Sequence, residues 1–318
     1  MHRLKSVTPG WGINPKNYEN KLLFNQKNKN PTPMKLEILA FLSVILFSNC
    51  NNYKISNMNT IKGNGNIIEK TISISGITNI ENTGIFNVYI KQGDKEEVKI
   101  ETDGNIIEYF KYKVEIKSIL ISNENINLFP TKANVYITTK TLNSVKNSGS
   151  GNINVENYVF SSLFTSDSRG SGNFTMTNTS SSKELLIKNE GSGNINVDNN
   201  IFSSLFTFEN SGSGNYTMTD ISSSDELLIK NDGSGNVNIK GKTKTLNLVN
   251  SGSGDTNTFE LIAEFVNTKN SGSGNIKVYC EKELTIKNSG SGDLKYKGNA
   301  TIKEVSSSGS GNVSKVND

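Results

Sequence analysis

Apolar and polar residues alternate strictly through much of the second half of the chain. In the stretch ELLIKNEGSGNINV, one parity holds most of the aliphatic side chains together with an asparagine and two glycines: Leu185, Ile187, Asn189, Gly191, Gly193, Ile195 and Val197. Because successive side chains of a β-strand point to opposite faces, this alternation predicts strands with one row of side chains inside. Residues 246–254 and 284–296 keep the same phase.

A Gly-Ser-Gly triplet occurs nine times after residue 148, and its spacing sets the predicted architecture. Consecutive triplets begin 18 to 21 residues apart. So short a unit cannot bury its own apolar row and must stack on its neighbours. We therefore predict an all-β fold, a single right-handed parallel β-solenoid (β-helix) with rungs of about 20 residues, its hand following from the preference of parallel crossovers. The triplets begin at Gly149, Gly170, Gly191, Gly212, Gly233, Gly252, Gly272, Gly290 and Gly309.

An amide or hydroxyl side chain stands two residues before each triplet, in the inward phase. Stacking identical turns would place these side chains above one another, where amides bond from one turn to the next. We predict a structural ladder from them, and we expect the inward glycines to keep the narrow corner free of side chains. The ladder residues are Asn147, Ser168, Asn189, Asn210, Asn231, Asn250, Asn270, Asn288 and Ser307.

A longer repeat overlies the short one, since residues 152–193 nearly match residues 194–235. This 42-residue copy corresponds to a tandem duplication of two rungs, which a nearest-neighbour architecture tolerates. We expect its phenylalanines to stack as a local aromatic ladder: Phe160, Phe164, Phe202 and Phe206. Residues 148–318 thus form the predicted repeat solenoid.

Residues 61–147 alternate without the triplet, as in FNVYIKQG and ANVYITT. We predict strands that begin the solenoid and cap its open end, because an unpaired edge invites aggregation. The final rung ends at Val316 without a recognisable cap. Residues 50–60 are interpreted as a linker.

The amino-terminal segment has the pattern of a targeting signal. Residues 34–49 contain a basic start, the apolar run ILAFLSVILF and small polar residues before Cys50. This pattern predicts a secretory signal, and the run is too short for a bilayer span. A cysteine in this place resembles the bacterial lipobox, so we predict lipidation of Cys50, although Asn49 departs from the usual small residue. Residues 1–33 are interpreted as a wrongly assigned start before Met34 or as a disordered leader.

The formal charge of +4 is a property of that segment. Seven of the 34 basic residues but only two of the 30 acidic residues precede Cys50, so the remainder carries a net charge of −1. Binding of nucleic acid is therefore not expected. With Cys50 lipidated, Cys280 has no disulfide partner, and its inward phase predicts a buried thiol.

The repeat region offers no recognisable catalytic or metal-ligating set. The only histidine, His2, precedes Cys50, and no Ser/His/Asp or Cys/His combination can be assembled. Acids such as Glu156 and Asp198 recur through the duplication. Strands rather than helices follow the triplets, which argues against phosphate loops, and the period is twice that of calcium-binding nonapeptides. We expect no enzyme activity, cofactor or metal, and a polysaccharide-active enzyme is only an outside alternative.

The residues from about Ile61 to Val316 resemble the putative auto-transporter adhesin "head GIN" domain family. The resemblance lies in GITNIENTGIFNVYIKQGD (residues 76–94), where Val88, Ile90, Gln92 and Gly93 match the opening motif, and in the NSGSGNI and NSGSGDL units. It implies a three-sided right-handed β-solenoid, commonly on lipoprotein chains of double-membrane bacteria.

Together these observations predict a non-catalytic adhesin or display module of the cell envelope. We expect a membrane anchor through the lipid on Cys50, at the outer membrane and on its surface or periplasmic side. A glycan or another envelope protein is the expected ligand. Exposed aromatics (Tyr216, Phe174, Tyr296) could bind a glycan, although we favour placing them in the core. The alternative function is a periplasmic scaffold or envelope-stress accessory protein.

Overall fold

The computed structural model describes residues 60–181, 183–202 and 204–317. These residues form strands joined by tight corners and one short 3₁₀ turn, Ile107–Tyr109. Stacked parallel turns, about eight of them with about 21 residues each, build a β-solenoid. The predicted all-β solenoid and its rung length are therefore confirmed.

The first nine strands start the stack and cover its end. They are β1 (Thr60–Lys62), β2 (Ile67–Ser73), β3 (Asn79–Asn82), β4 (Asn87–Gln92), β5 (Glu97–Asp103), β6 (Phe110–Glu115), β7 (Ser118–Asn123), β8 (Asn127–Phe129) and β9 (Ala133–Thr139). Strands β3 and β4 form the first turn. The other seven strands are here named the N-terminal cap.

The N-terminal cap ends the parallel stack by switching to antiparallel pairing. Strands β7 and β9 pair in parallel with β3 and β4 on the side away from the later turns. Strand β6 then pairs antiparallel with β7, while β5 lies antiparallel between β9 and β2. The edge of the first turn is thus fully paired, which removes a site of edge-to-edge aggregation.

The later strands carry the triplet repeats. They are β10 (Ser144–Asn147), β11 (Ile153–Glu156), β12 (Val159–Phe160), β13 (Phe164–Ser168), β14 (Phe174–Thr177), β15 (Ser180–Ser181), β16 (Leu185–Asn189), β17 (Ile195–Asp198), β18 (Ile201–Phe202), β19 (Leu205–Asn210), β20 (Tyr216–Asn231), β21 (Val237–Asn250), β22 (Thr256–Asn270), β23 (Ile276–Asn288), β24 (Leu294–Lys297), β25 (Thr301–Ser307) and β26 (Val313–Lys315).

Each of these strands pairs in parallel with the equivalent strand of the next turn. Strands β13, β16 and β19, for example, align Phe164 with Leu185 and Leu185 with Phe206. Most of the inward parity predicted from the sequence is buried, with Ile187 and Ile195 at 0% exposure. The core is therefore a narrow set of aliphatic and aromatic columns that runs along the stack.

A left-handed residue marks one bend in six of the turns. Asn157, Asn178, Asn199 and Asp220 have φ between 51° and 52°, and each lies four residues after the first residue of its strand. Asn and Asp tolerate this region better than other side chains, and glycine tolerates it best. Gly241 and Gly298 occupy the same place in later turns, with φ of 134° and 93°.

The expected local ladder of phenylalanines forms only in part. Phe160 stacks on Phe164 within one turn, with ring centroids 4.3 Å apart, but Leu185 lies in register between Phe164 and Phe206. The duplicated unit spans two turns, so identical residues recur only at every second turn. The Phe202 side chain lies outside the described residues.

Candidate functional site

The predicted ladder residues line the inner side of the Gly-Ser-Gly corner. Those from Asn147 to Asn288 are buried, whereas Ser307 in the last described turn is exposed. The Nδ2 of Asn189 donates to Oδ1 of Asn210 at 3.1 Å, and the Nδ2 of Asn210 donates to Oδ1 of Asn231 at 2.9 Å. The Nδ2 of Asn231 donates instead to the carbonyl oxygens of Gly235 and Gly254 at 3.2 and 3.3 Å. A second run of amide bonds joins Asn250, Asn270 and Asn288 at 3.0 and 3.1 Å.

Serine interrupts this row, and the neighbouring amides then bond to the corner backbone. Ser168 stands between Asn147 and Asn189, and the Nδ2 of Asn147 donates to the carbonyl oxygen of Gly151 at 2.9 Å. In the last described turn the hydroxyl of Ser307 lies 3.4 Å from the carbonyl oxygen of Gly311. The row thus closes the inside of every corner, and it belongs to the framework.

The row begins one turn earlier than the sequence analysis placed it. The Nδ2 of Asn82 donates to Oδ1 of Asn147 at 3.2 Å and to the carbonyl oxygen of Phe86 at 3.2 Å. The corner there reads NTGIFN instead of NSGSGN, with buried Phe86 in place of the second glycine. The matching asparagines and the shared first glycine are the signal that could have found it.

The triplet glycines are required by stacking rather than by turn geometry. None of them has a positive φ. A Cβ atom on Gly191 or Gly193 would instead overlap the carbonyl oxygen of the glycine directly below, in the preceding turn. The same overlap recurs at the other triplets, so the corners pack backbone on backbone.

A second row of Asn and Asp follows the triplets and faces outward. The Oδ1 of Asn173 accepts a hydrogen bond from the backbone N–H of Asn194 at 2.8 Å, and Asp255 accepts one from Asn275 at 2.7 Å. Each side chain thus bonds to the backbone one turn further on. The row starts at Asn87, whose Oδ1 accepts from the N–H of Asn152 at 3.0 Å. These residues hold the turns in register.

A recess with two tyrosines lies on the outer face of the first turn, where the N-terminal cap joins it. Tyr89 on β4 and Tyr136 on β9 are in register, and their rings stack with centroids 5.1 Å apart and planes 19° apart. The recess measures about 450 Å³ and is lined by Tyr89, Ile90, Lys91, Glu97, Lys99, Tyr136, Thr138, Asn154, Glu156 and Asn157. This volume lies within the range of small-ligand sites.

A network of charged and amide side chains holds the hydroxyl of Tyr136. The hydroxyl of Tyr136 donates to Oε2 of Glu101 at 3.0 Å and accepts from Nδ2 of Asn134 at 3.1 Å. Lys132 and Lys99 approach the Glu101 carboxylate at 2.7 and 3.0 Å. The ammonium of Lys99 also lies 5.1 Å from the centre of the Tyr136 ring, a cation–π distance.

The same network controls protonation at this site. Lys132 and then Lys99 lower the pKa of Glu101 from 4.5 to about 2, so the carboxylate stays ionised in neutral and mildly acidic solution. Glu101 in turn raises the pKa of Lys99 and of Lys132. Glu101, Lys99 and Lys132 beside the tyrosine pair therefore keep their charges in neutral solution.

The sequence analysis missed the tyrosine pair, although a signal existed. The tetrapeptide NVYI occurs twice, at residues 87–90 and 134–137, outside the triplet repeat. The preferred placement of Tyr216 and Phe174 in the core is confirmed, since both are fully buried. Tyr296 packs against the core and is only partly buried.

The described residues contain neither a metal centre nor a spanning helix. No group of three or more His, Cys, Asp or Glu side chains among them could hold a metal ion. None of their helical segments is long and apolar enough to cross a membrane. Cys280 is buried and unpaired, and burial raises the pKa of its thiol. Cys50 and the predicted signal lie outside the described residues.

Comparison with known families identifies the family of this chain. The family model described as "Putative auto-transporter adhesin, head GIN domain" matches residues 76–201 and 185–300, more than half of the chain. The chain belongs to this family. The resemblance drawn from the opening motif and the triplet units is thereby confirmed. No curated protein matches the sequence.

Solved structures of similar fold include three proteins from Parabacteroides species. A "putative adhesin" from Parabacteroides merdae has a TM-score of 0.55 at 22% identity over 81% of this chain and 99% of that one. A "putative adhesin" from Parabacteroides distasonis has a TM-score of 0.55 at 24% identity over 81% and 100%. A "putative lipid binding protein" from the same species has a TM-score of 0.51 at 22% identity over 80% and 100%. At these identities the likeness concerns the fold of this head GIN domain protein.

Proposed function

We propose that this head GIN domain protein is a lipid-anchored adhesin of the cell envelope that binds its ligand without catalysis. Family membership supports an adhesin-like role at the cell surface or envelope. The cysteine at the end of the apolar run supports an anchor on Cys50, in the outer membrane.

The observation that carries the binding role is the tyrosine recess. Two stacked rings, half buried and held by an ionised network, form an open site on the solvent side of the first turn. Exposed aromatic side chains with fixed polar neighbours are typical of binding sites. The recess carries carboxylates, amides and lysines, which can hydrogen-bond to a polar ligand.

The test combines surface exposure with anchoring. Intact cells that make the full chain are treated with protease, and the released peptides are identified by mass spectrometry, together with the amino terminus of the mature protein. We expect solenoid peptides to be released from intact cells and the mature protein to begin at acylated Cys50. The matched control is Cys50→Ala, which should leave the membrane fraction.

Two results would contradict this proposal. Protection of the solenoid until the outer membrane is opened would favour a periplasmic scaffold that binds other envelope proteins. A mature terminus that lacks acyl groups would remove the anchor on Cys50. Attachment of cells to a surface coated with host glycans, compared with the Tyr89→Ala variant, then tests the binding role separately.

A further inference from the structure

We propose that the tyrosine recess binds a neutral saccharide, with one pyranose ring stacked on the free face of Tyr89. This inference deepens the proposed binding function and rests on it. It names the class of ligand and the position of one sugar ring, both of which follow from the order of side chains across four neighbouring strands.

The side chains across these strands form a stack that ends at Tyr89. Lys99 on β5 faces Tyr136 on β9, and Tyr136 is in register with Tyr89 on β4. Lys99 covers the outer face of the Tyr136 ring at 5.1 Å, and Tyr89 covers its other face. The next side chain in register beyond Tyr89 is Asn154 on β11, which is too short to cover an aromatic ring.

The free ring face is therefore ready for a flat ligand. The C–H groups on one side of a pyranose ring carry slight positive charge and pack on the negative face of an aromatic ring. Because Glu101 and Asn134 hold the Tyr136 hydroxyl, the platform is ordered before binding. Such preorganisation lowers the entropy cost of association.

The charges around the platform favour a neutral ligand. Lys91 and Lys99 line the recess together with Glu97 and Glu156, so its cationic and anionic side chains balance. An acidic sugar would meet the two glutamates, and a cationic one would meet the two lysines. Uncharged hydroxyls can instead accept hydrogen bonds from the lysines and donate hydrogen bonds to the carboxylates. These bonds orient the sugar in the recess.

Beyond the recess, the same row of the face offers one amide or hydroxyl per turn. Asn154, Thr175, Asn196 and Thr217 follow one another in register along the stack. The hydroxyls of an oligosaccharide whose first ring lies on Tyr89 can therefore hydrogen-bond to these side chains.

The experiment measures binding of defined oligosaccharides to the full chain by saturation-transfer NMR and calorimetry. The probes are the neutral hexamers cellohexaose, hexa-N-acetylchitohexaose and mannohexaose, with acidic hexagalacturonate as the comparison. We expect at least one neutral hexamer to bind, with saturation strongest on the C–H protons of one terminal ring. Tyr89→Ala should weaken this binding by tenfold or more, whereas Tyr89→Phe keeps the ring and should retain it.

Tyr112→Ala is the matched control, because Tyr112 is an exposed tyrosine on β6 outside the recess, and it should bind like the wild type. The inference is overturned if none of the neutral hexamers binds, if hexagalacturonate binds best, or if Tyr89→Ala binds as well as the wild type. A loss of saccharide binding with surface exposure and attachment intact rejects the ligand class alone. Loss of exposure rejects the proposed function instead.

Discussion

A single amide of the inner row satisfies polar groups on two neighbouring turns. Asn210 donates to Asn231 and accepts from Asn189, at 2.9 and 3.1 Å, and all three side chains are at most 2% exposed. Water cannot replace a lost partner at such a position, so removal of one amide leaves groups on both neighbours unpaired. The cost of the change is set by the two neighbours as much as by the residue itself.

We expect Asn210→Ala to lower the free energy of unfolding by about 2 kcal/mol, because each unpaired buried group costs about 1–3 kcal/mol. Urea unfolding followed by circular dichroism measures the change. The control is Asn196→Ala, an exposed asparagine on the outer face, for which a shift within about 0.5 kcal/mol is expected. Equal shifts for the two variants would show that the inner row adds no stability.

Substitution of a corner glycine should destabilise the stack by steric overlap, whereas Asn210→Ala acts by the loss of hydrogen bonds. In Gly193→Ala, the added methyl group would overlap the carbonyl oxygen of Gly172, and the two turns would have to separate locally. Overpacking of this kind costs about 1–3 kcal/mol. Thermal unfolding should show a lower midpoint for Gly193→Ala and no shift for Ser192→Ala, which changes the exposed tip of the same corner. An unchanged midpoint for Gly193→Ala would refute the stacking explanation.

Strand β5 holds the N-terminal cap through two carboxylates. Glu101 contacts Lys99, Lys132 and the Tyr136 hydroxyl. Asp103, two residues further along the strand, accepts from the backbone N–H groups of Gly65 and Thr131, each at 2.7 Å. Burial alone would raise the pKa of Asp103, but these N–H groups outweigh it and lower the pKa. Both groups therefore stabilise the cap as anions.

The stability of the cap should depend on pH through Glu101. Its pKa in the folded protein is about 2 against an ordinary 4.5, so its contribution is complete above pH 4.5 and is lost as the pH falls towards 2. Glu101→Gln cannot titrate, and its melting temperature should fall less between pH 5 and pH 2 than that of the wild type. Glu156→Gln, an exposed carboxylate, should follow the wild-type curve. Parallel curves for Glu101→Gln and the wild type would contradict this assignment.

The sequence predicts a strand well when the strand with which it pairs lies in the next copy of the repeat. The strands around each triplet are predictable because the aliphatic residues and the glycines share one parity in each repeat. Leu185, Gly191 and Ile195 are an example. The first turn is harder, because its corner carries Phe86 and its neighbour along the chain is the cap rather than the next turn. The tyrosine recess joins β4 to β5, β9 and β11, and the repeat of NVYI in β4 and β9 is too short to predict that pairing. The right hand of the coil stays a prediction.

At the scale of the molecule, the outer face carries a row of alternating charge along the stack. Lys188 and Lys230 flank Glu209 at 2.9 and 2.8 Å, and Asp167 precedes Lys188 in register. In the core beneath, Phe164, Leu185 and Phe206 alternate large and smaller side chains. Both patterns have a period of two turns, and the 42-residue duplication copies two turns. Growth by two turns preserves both patterns, whereas growth by one turn does not.

The two-turn period makes a prediction for deletions. Removal of residues 152–193 takes out two turns, brings Lys146 next to Glu209 and gives Phe206 the place of Phe164. This variant should melt close to the wild type, and its solenoid should be shorter by ~10 Å in X-ray scattering, since turns are ~4.8 Å apart. Removal of residues 173–193 takes out one turn, so that Asp167 meets Glu209 and Phe164 meets Phe206. Like charges in register and an overfilled core, the latter costing about 1–3 kcal/mol, should make this smaller deletion the less stable one. If the one-turn deletion melts as high as the two-turn deletion, the neighbouring turns are interchangeable, and the paired turn is not the unit of assembly.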